Sequence, residues 1–244
     1  MSNKREELSE SGHPIYRYEP VPPPELEPSL QNPAQRDIDE HIKNNFGEVS
    51  RVFHEILPVK IHIDIYIIEP NESRNYYTLV TSGQSTLPMS APPQHSQCKY
   101  SELYLCLPRE WSISEKNLED EINYWPFRCL KFLARFPHEY KTWIWNMHTI
   151  PNENPIKPFA KNTKLCCSLL SAPTRLPKTA YRLRINKDKT IFFHSVIPIY
   201  RDEMEYKLKH GAGALLERFE RNHVDELLDV NRMSVVKKGL FGIS

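Results

Sequence analysis

The sequence predicts an α+β domain built on one mixed or antiparallel sheet flanked by helices. Three observations carry this reading. Strand-like runs outnumber helical ones, many of the connections between them are short, and no βα repeat of about 30 residues is visible. At 244 residues the chain has length for one large domain, and a body of about 200 residues buries roughly 70% of its extended surface. A core without disulfides is therefore expected.

Taken in order, the first 33 residues are charged and then proline-dense ("HPIYRYEPVPPPELEP"). This composition favours an extended, polyproline-like arm over helix or sheet. Tyr16, Tyr18 and Val21 are the side chains able to pin it to the body. Asn32 and Pro33 then open a helix with Ile38, Ile42, Asn45 and Phe46 near one face, ended by Gly47. Strand-like runs at 50–57, 60–68 and 75–82 form a meander, with "EPNESRN" as the turn between the last two. In "YSELYLCLP", Tyr100, Glu102, Tyr104 and Cys106 alternate with Ser101, Leu103, Leu105 and Leu107, which places them on opposite faces. Ser112 and Glu115 suit a capping box for a helix carrying Leu118, Ile122 and Trp125. Pro126 is expected to interrupt it and to start a second short helix with Cys129, Leu130, Leu133 and Phe136. Further strand-like runs fall at 141–150, 164–170, 180–185 and 189–199, followed by a helix over 202–223 and a short one over 224–230. The expected division is an arm (1–33), a single domain (34–232) and a C-terminal tail (233–244).

Composition narrows the function. With 32 Lys and Arg against 31 Asp and Glu, there is no global field to steer the chain to nucleic acid or to an anionic membrane. The five cysteines (Cys98, Cys106, Cys129, Cys166, Cys167) are odd in number, contain no CxxC and mostly fall in apolar stretches, so reduced buried thiols are expected. The first residues lack a signal-peptide core and no run of 18 apolar residues occurs, which predicts a soluble cytoplasmic protein. Only 7 glycines accompany 21 prolines, and loops that wrap backbone around phosphate are poorly supported.

Several constellations deserve chemical scrutiny. In "IHIDIYIIEP", His62 and Asp64 are two apart on a strand, so they point the same way about 6.5 Å apart along it. They suit a structural hydrogen bond, a recognition face, or half of a metal site. The third reading lacks further ligands, because His54 and His95 stand in no recurring metal spacing. "SGQSTLPM" has Leu87 where the second glycine of a G-x-S-x-G elbow belongs. Ser82, Gly83, Ser85 and Thr86 suit a polar turn instead, with Gly83 at positive φ. Gly211-Ala212-Gly213 with Leu216 is a broken G-x-G-x-x-G after a helical segment, and close helix packing through small residues is expected. Adjacent strand residues face opposite ways, so Cys166 and Cys167 are not expected to clip a metal. In "KTWIWNMHTIP", Trp143 and Trp145 share a face, which suits core packing or, with Asn146 and His148 opposite, a recognition surface.

Taken together, the segments resemble the suppressor-of-fused (SUFU) domain family, and its bacterial members in particular. The resemblance rests on "VKIHIDIYIIEP", "YYTLVTSGQSTLPM", "YSELYLCLP" with Trp111 after it, "NYWPFRCLKFLARFPH", "TWIWNMHTIPN" with 159–163 beyond, "VIPIYRDEMEYKLKHGAGALLERF" and "VDELLDVNR". These segments span about 47–232 in the family's order. His62 and Asp64 match its H-x-D strand, and Thr81, Ser82, Gly83, Ser85 and Met89 match its polar turn. Trp125, Pro126, Leu133, Ala134 and Arg135 match its helical signature, and His148 the histidine after the Trp-bearing strand. Two positions depart from the pattern. Met147 stands where animal members carry an acidic residue that helps hold their peptide, and Gln84 replaces a methionine-like residue in the turn.

The resemblance implies a non-catalytic α+β domain that binds proteins. Animal relatives take a transcription-factor peptide as an added strand, while bacterial relatives act as immunity proteins or antitoxins in toxin systems, including those with nuclease toxins. The expected function is accordingly a bacterial immunity protein or antitoxin that neutralises a cognate toxin encoded nearby by stoichiometric binding. The alternatives are an adaptor for a non-toxin protein and a metal- or base-assisted hydrolase. The expected partner-binding residues are His62, Asp64, Thr81, Ser82, Ser85, Met89, Trp143, Asn146 and His148. No catalytic residue, metal, cofactor, nucleic acid or membrane partner is expected.

Overall fold

One eight-stranded sheet organises the chain. The computed structural model describes residues 5–19, 22, 30–55 and 61–236. The sheet comprises β3 (Arg51–Phe53), β4 (Asp64–Ile68), β5 (Tyr76–Ser82), β6 (Tyr100–Pro108), β7 (Thr149–Pro151), β8 (Cys167–Ser171), β9 (Arg182–Arg184) and β10 (Thr190–Ile199). Their order is β3-β4-β5-β6-β10-β8-β7, and β9 lies beside the first half of β10. β6 and β10 run parallel, while every other pairing is antiparallel. The architecture is the expected α+β with a mixed, mostly antiparallel sheet.

Three apolar clusters fill the two faces. α1 (Gln35–Asn45) lays Ile38, Ile42 and the following Phe46 against Tyr76, Val80, Tyr104, Cys106 and Phe193. α2 (Glu121–Glu139) covers the opposite face, where Leu103, Leu105 and Leu107 meet Trp125, Leu130 and Leu133. The alternation read in "YSELYLCLP" thus divides β6 between two cores. α3 (Arg201–His210) and α4 (Ala212–Arg221) follow β10, and Leu215 and Phe219 of α4 close over Cys167, Leu169, Ile197 and Ile199. Each such aliphatic side chain, once buried, stabilises the fold by about 1.5–3 kcal/mol.

Several elements differ from expectation for identifiable reasons. The arm is not simply extended, since β1 (Arg5–Leu8) and β2 (Pro14–Arg17) form an antiparallel hairpin. Gly12, at φ +79°, turns it, and the prolines that oppose sheet come later. Tyr18 pins it as expected, donating or accepting at 2.7 Å with Thr142 Oγ1 and packing edge-on to Phe136 and Tyr140. Val21 lies outside the described residues, as does 56–60 of the first two strand-like runs. α1 starts at Gln35, and Asn32 Oδ1 accepts the Ala34 N–H at 3.1 Å just ahead of it.

Pro126 does not interrupt α2. Asp120, rather than Ser112, caps that helix by accepting the Ile122 N–H at 3.0 Å. Pro126 therefore falls near its start, where one missing bond to the carbonyl of Ile122 is offset by a buried face from Trp125 to Pro137. Of the run 141–150 only 149–150 is strand, as the start of β7, because Lys141 and Met147 take positive φ and fold the rest into a loop. Lys178–Tyr181 is a 3₁₀ turn, and only then does β9 begin. The helix expected over 202–223 breaks at Gly211, at φ +87°. No atom lies within 4 Å of a Cβ placed on Gly211 or Gly213, so backbone conformation, and not close packing, explains the glycine at 211. Residues 224–230 are not helical. Leu227 makes a parallel bridge to Cys106, and the fully buried Glu226 accepts the Thr174 and Arg175 N–H groups and the Tyr104 hydroxyl. Packing runs beyond 232, since Arg232 forks onto the buried Glu203 with two bonds of 2.6 Å, and Val235 joins the α4 cluster.

Candidate protein-binding site

β4 pairs with β5 so that Asp64 stands opposite Ser82, which sets the H-x-D strand beside the polar turn. Asp64 gathers three partners. His62 Nε2 lies 3.0 Å from Oδ1, His54 Nδ1 lies 3.2 Å from Oδ2, and the Glu55 N–H donates to Oδ1 at 3.0 Å. The side chains of His54, His62 and Asp64 are 71%, 31% and 22% exposed. The pair read from sequence is thus a real contact at a solvent-facing edge. Behind it Glu55 turns inward to Arg135 and to Lys131 Nζ, 3.7 Å away, both on α2. Burial lowers the Lys131 and Arg135 pKa values, and the Asp64 charge partly restores that of Lys131. With Tyr124, Arg128, Phe132 and Glu139, these groups line a surface cavity of about 330 Å³.

The polar turn faces the other way. Glu102, fully buried on β6, accepts Thr81 Oγ1 at 2.7 Å on one oxygen. Its other oxygen accepts Ser85 Oγ, the Ser85 N–H and the Gly83 N–H at 2.7, 3.0 and 3.1 Å. Burial pushes this carboxyl up, and the four donors pull it back. Gly83 has φ +132°, and a Cβ there would collide with the carbonyl oxygen of His62. Lys189 Nζ holds the Ser85 carbonyl at 2.9 Å, Gln35 of α1 donates to Ser82 Oγ at 2.9 Å, and Gln84 Nε2 reaches Met89 Sδ at 3.5 Å. Thr81, Ser82, Ser85 and Met89, expected as partner contacts, are therefore buried. A buried carboxylate must be given donors, and Thr81 and Ser85 serve that need, while Ser82 accepts from Gln35 and Met89 from Gln84.

Trp143, Asn146 and His148 form a second group on the loop before β7. His95 stacks on the Trp143 indole at 4.9 Å and His148 meets it edge-on at 4.8 Å. Asn146 bridges Tyr181 Oη at 2.6 Å and His194 Nδ1 at 2.8 Å. His194 is fully buried on β10, and burial followed by the proximity of His148 lowers its pKa to about 3. It is neutral, so its Nδ1–H donates to Asn146 Oδ1. Asn146 and His148 remain half-buried, while Trp143 belongs to the α2 core. The Ser90 N–H, donated to Thr142 O at 2.9 Å, ties this loop to the one after Met89.

Sequence reasoning missed Glu102, Glu55, His54, Tyr181 and His194 as parts of these arrangements. Only Glu102 carried a legible signal, as a lone charge on a strand face otherwise occupied by Tyr100, Tyr104 and Cys106. Among the described residues, no three His, Cys, Asp or Glu side chains converge to hold a metal ion, and no helix is long and apolar enough to cross a membrane.

Fold and site together define a mixed-sheet α+β domain in which buried carboxylates fasten loops around a partly exposed His–Asp edge. The chain belongs to the suppressor of fused family, whose description, Suppressor of fused protein (SUFU), matches residues 60–233. A crystal structure of a SUFU homologue from Neisseria gonorrhoeae FA 1090 superimposes with a TM-score of 0.60 at 18% identity, over 84% of this chain and 98% of that one. A chain of the Sufu-Fu complex crystal structure gives a TM-score of 0.56 at 15% identity, over 84% of this chain and 93% of that one. At such identities the likeness is one of fold. No curated protein matches the chain in sequence.

Proposed function

We propose that this chain is a non-catalytic protein-binding domain of bacterial type, an immunity protein or antitoxin that neutralises a toxin encoded nearby by stoichiometric binding. The observation that carries the binding reading is the outward placement of His54, His62 and Asp64 beside β3, a terminal strand of the sheet. A terminal strand offers backbone donors and acceptors to an incoming segment, and the His–Asp edge supplies side-chain selectivity next to it. Membership of the SUFU family and the capture of Sufu with Fu support the choice of a protein as partner. A stable complex would bury about 1,600 Å² in total.

The test is co-expression with the product of the adjacent gene. Rescue of growth, a 1:1 complex, and at least tenfold weaker binding by Asp64→Ala or His62→Ala are expected. Binding without rescue overturns the toxin assignment in favour of an adaptor. Multiple turnover of an ester or phosphodiester, abolished in a folded Asp64→Ala chain, overturns the non-catalytic reading.

A further inference from the structure

Alternation along a strand predicts that the side chains of adjacent cysteines diverge. Cys166 and Cys167 instead converge, because Cys166 precedes β8 and is not yet committed to its pleat. Their sulfur atoms are 3.8 Å apart, and Cys167 Sγ lies 3.5 Å from Met204 Sδ on α3. Cys167 Sγ therefore has two sulfur neighbours within 4 Å, one from the preceding residue and one from a separate element. Both thiols are free, and Cys166 is 5% exposed while Met204 is half-buried, so the cluster lies just below the surface.

Geometry and donor chemistry together narrow the ligand. An ion about 2.3 Å from each of three sulfurs, the usual thiolate–metal distance, holds them about 3.8 to 4.0 Å apart. The two separations observed need to open by no more than a few tenths of an ångström. Zinc takes four ligands in structural sites, and no His, Asp or Glu completes this set among the described residues. A thioether beside thiolates is instead the soft donor set that selects Cu(I). Buried cysteine alone is ordinary packing. The convergence of a methionine from another element is what distinguishes this place. We propose that Cys166, Cys167 and Met204 form a three-sulfur site for a single cuprous ion.

The test is anaerobic titration of the whole chain with Cu(I) presented as a coloured bicinchoninate complex. Transfer of one Cu(I) per chain is expected, lost in Cys167→Ser and at least tenfold weaker in Met204→Leu. X-ray absorption of the loaded protein should show about three sulfur neighbours and no nitrogen or oxygen shell. Cys98, Cys106 and Cys129 remain in both variants as internal controls. Met204→Leu is nearly volume-conserving, so it decides the question even if Cys167→Ser does not fold. No transfer, equal binding by Met204→Leu, or persistence of the ion in Cys167→Ser overturns the proposal.

Discussion

Asp64 and Glu102 lie two strands apart in one sheet and are handled in opposite ways. Asp64 opens β4 at the solvent edge, where two histidines and the Glu55 N–H are its partners. Glu102 is sealed in the middle of the sheet and meets four donors, none of them charged. The first arrangement leaves polar capacity facing outward, and the second uses all of it to hold a turn. A family-like polar motif therefore contains residues that build the site and residues that present it. Sequence spacing does not separate the two sets.

The largest expected effect probes the built side. Gly83→Ala puts a methyl group into the His62 carbonyl at a φ that L residues rarely adopt. A loss of about 4 kcal/mol or more is expected, read as a fall in the urea midpoint. A loss under about 1 kcal/mol would show that the turn can move, and would break the contrast with Asp64. Next comes Glu102→Ala, which leaves the Thr81 and Ser85 hydroxyls and two N–H groups without their acceptor. About 3 kcal/mol is expected. Glu102→Gln sharpens the result, since its carbonyl oxygen keeps an acceptor for Gly83 and Ser85, and a smaller loss of about 1 kcal/mol should follow.

A third prediction concerns the interior of the second group. His194 has its folded pKa lowered to about 3, against 6.5 unfolded. Below about pH 6.5 the unfolded chain binds a proton that the folded chain refuses. Stability is therefore constant above that pH and falls as pH drops toward 3, by about 2 kcal/mol at pH 5. Burial lowers His41 and His138 in the same direction, so the difference between wild type and His194→Gln isolates this residue. Denaturation at pH 7 and pH 5 should give a smaller change in the variant. An identical change in both would place the acid sensitivity elsewhere.

Much of the fold was legible because alternation and capping are local. Tyr100 to Pro108 could be split between two cores by parity alone, Gly47 could be placed at the end of its helix, and Gly83 at positive φ in the turn after its strand. What failed depended on distant partners. Residues 224–230 carry a helical pattern, yet Glu226 is drawn into the core by Tyr104 and the 174–175 backbone. The site divided in the same way. His62 and Asp64 were legible as a pair because i and i+2 share a face. The inward role of Thr81 and Ser85 was not, because Glu102 is 21 residues beyond Thr81 and only strand pairing brings them together.

The smallest stability effect belongs to the presented side and carries the functional contrast. Asp64→Asn keeps the shape and one acceptor oxygen for the Glu55 N–H, removes the charge, and exchanges the oxygen facing His54 for an amide NH2. Those pairs are solvent-screened to different degrees, and exposed ion pairs stabilise by about 0–1 kcal/mol. The urea midpoint should therefore move by less than the equivalent of about 1 kcal/mol. Affinity for the partner should fall at least tenfold, because desolvation at an interface turns a screened charge into an unpaired one when its counterpart is lost. Titration calorimetry and denaturation on the same protein read both quantities. If stability falls by as much as in Glu102→Ala, or if affinity is unchanged, Asp64 is another internal strut, and the division between building and presenting residues does not run between these two carboxylates.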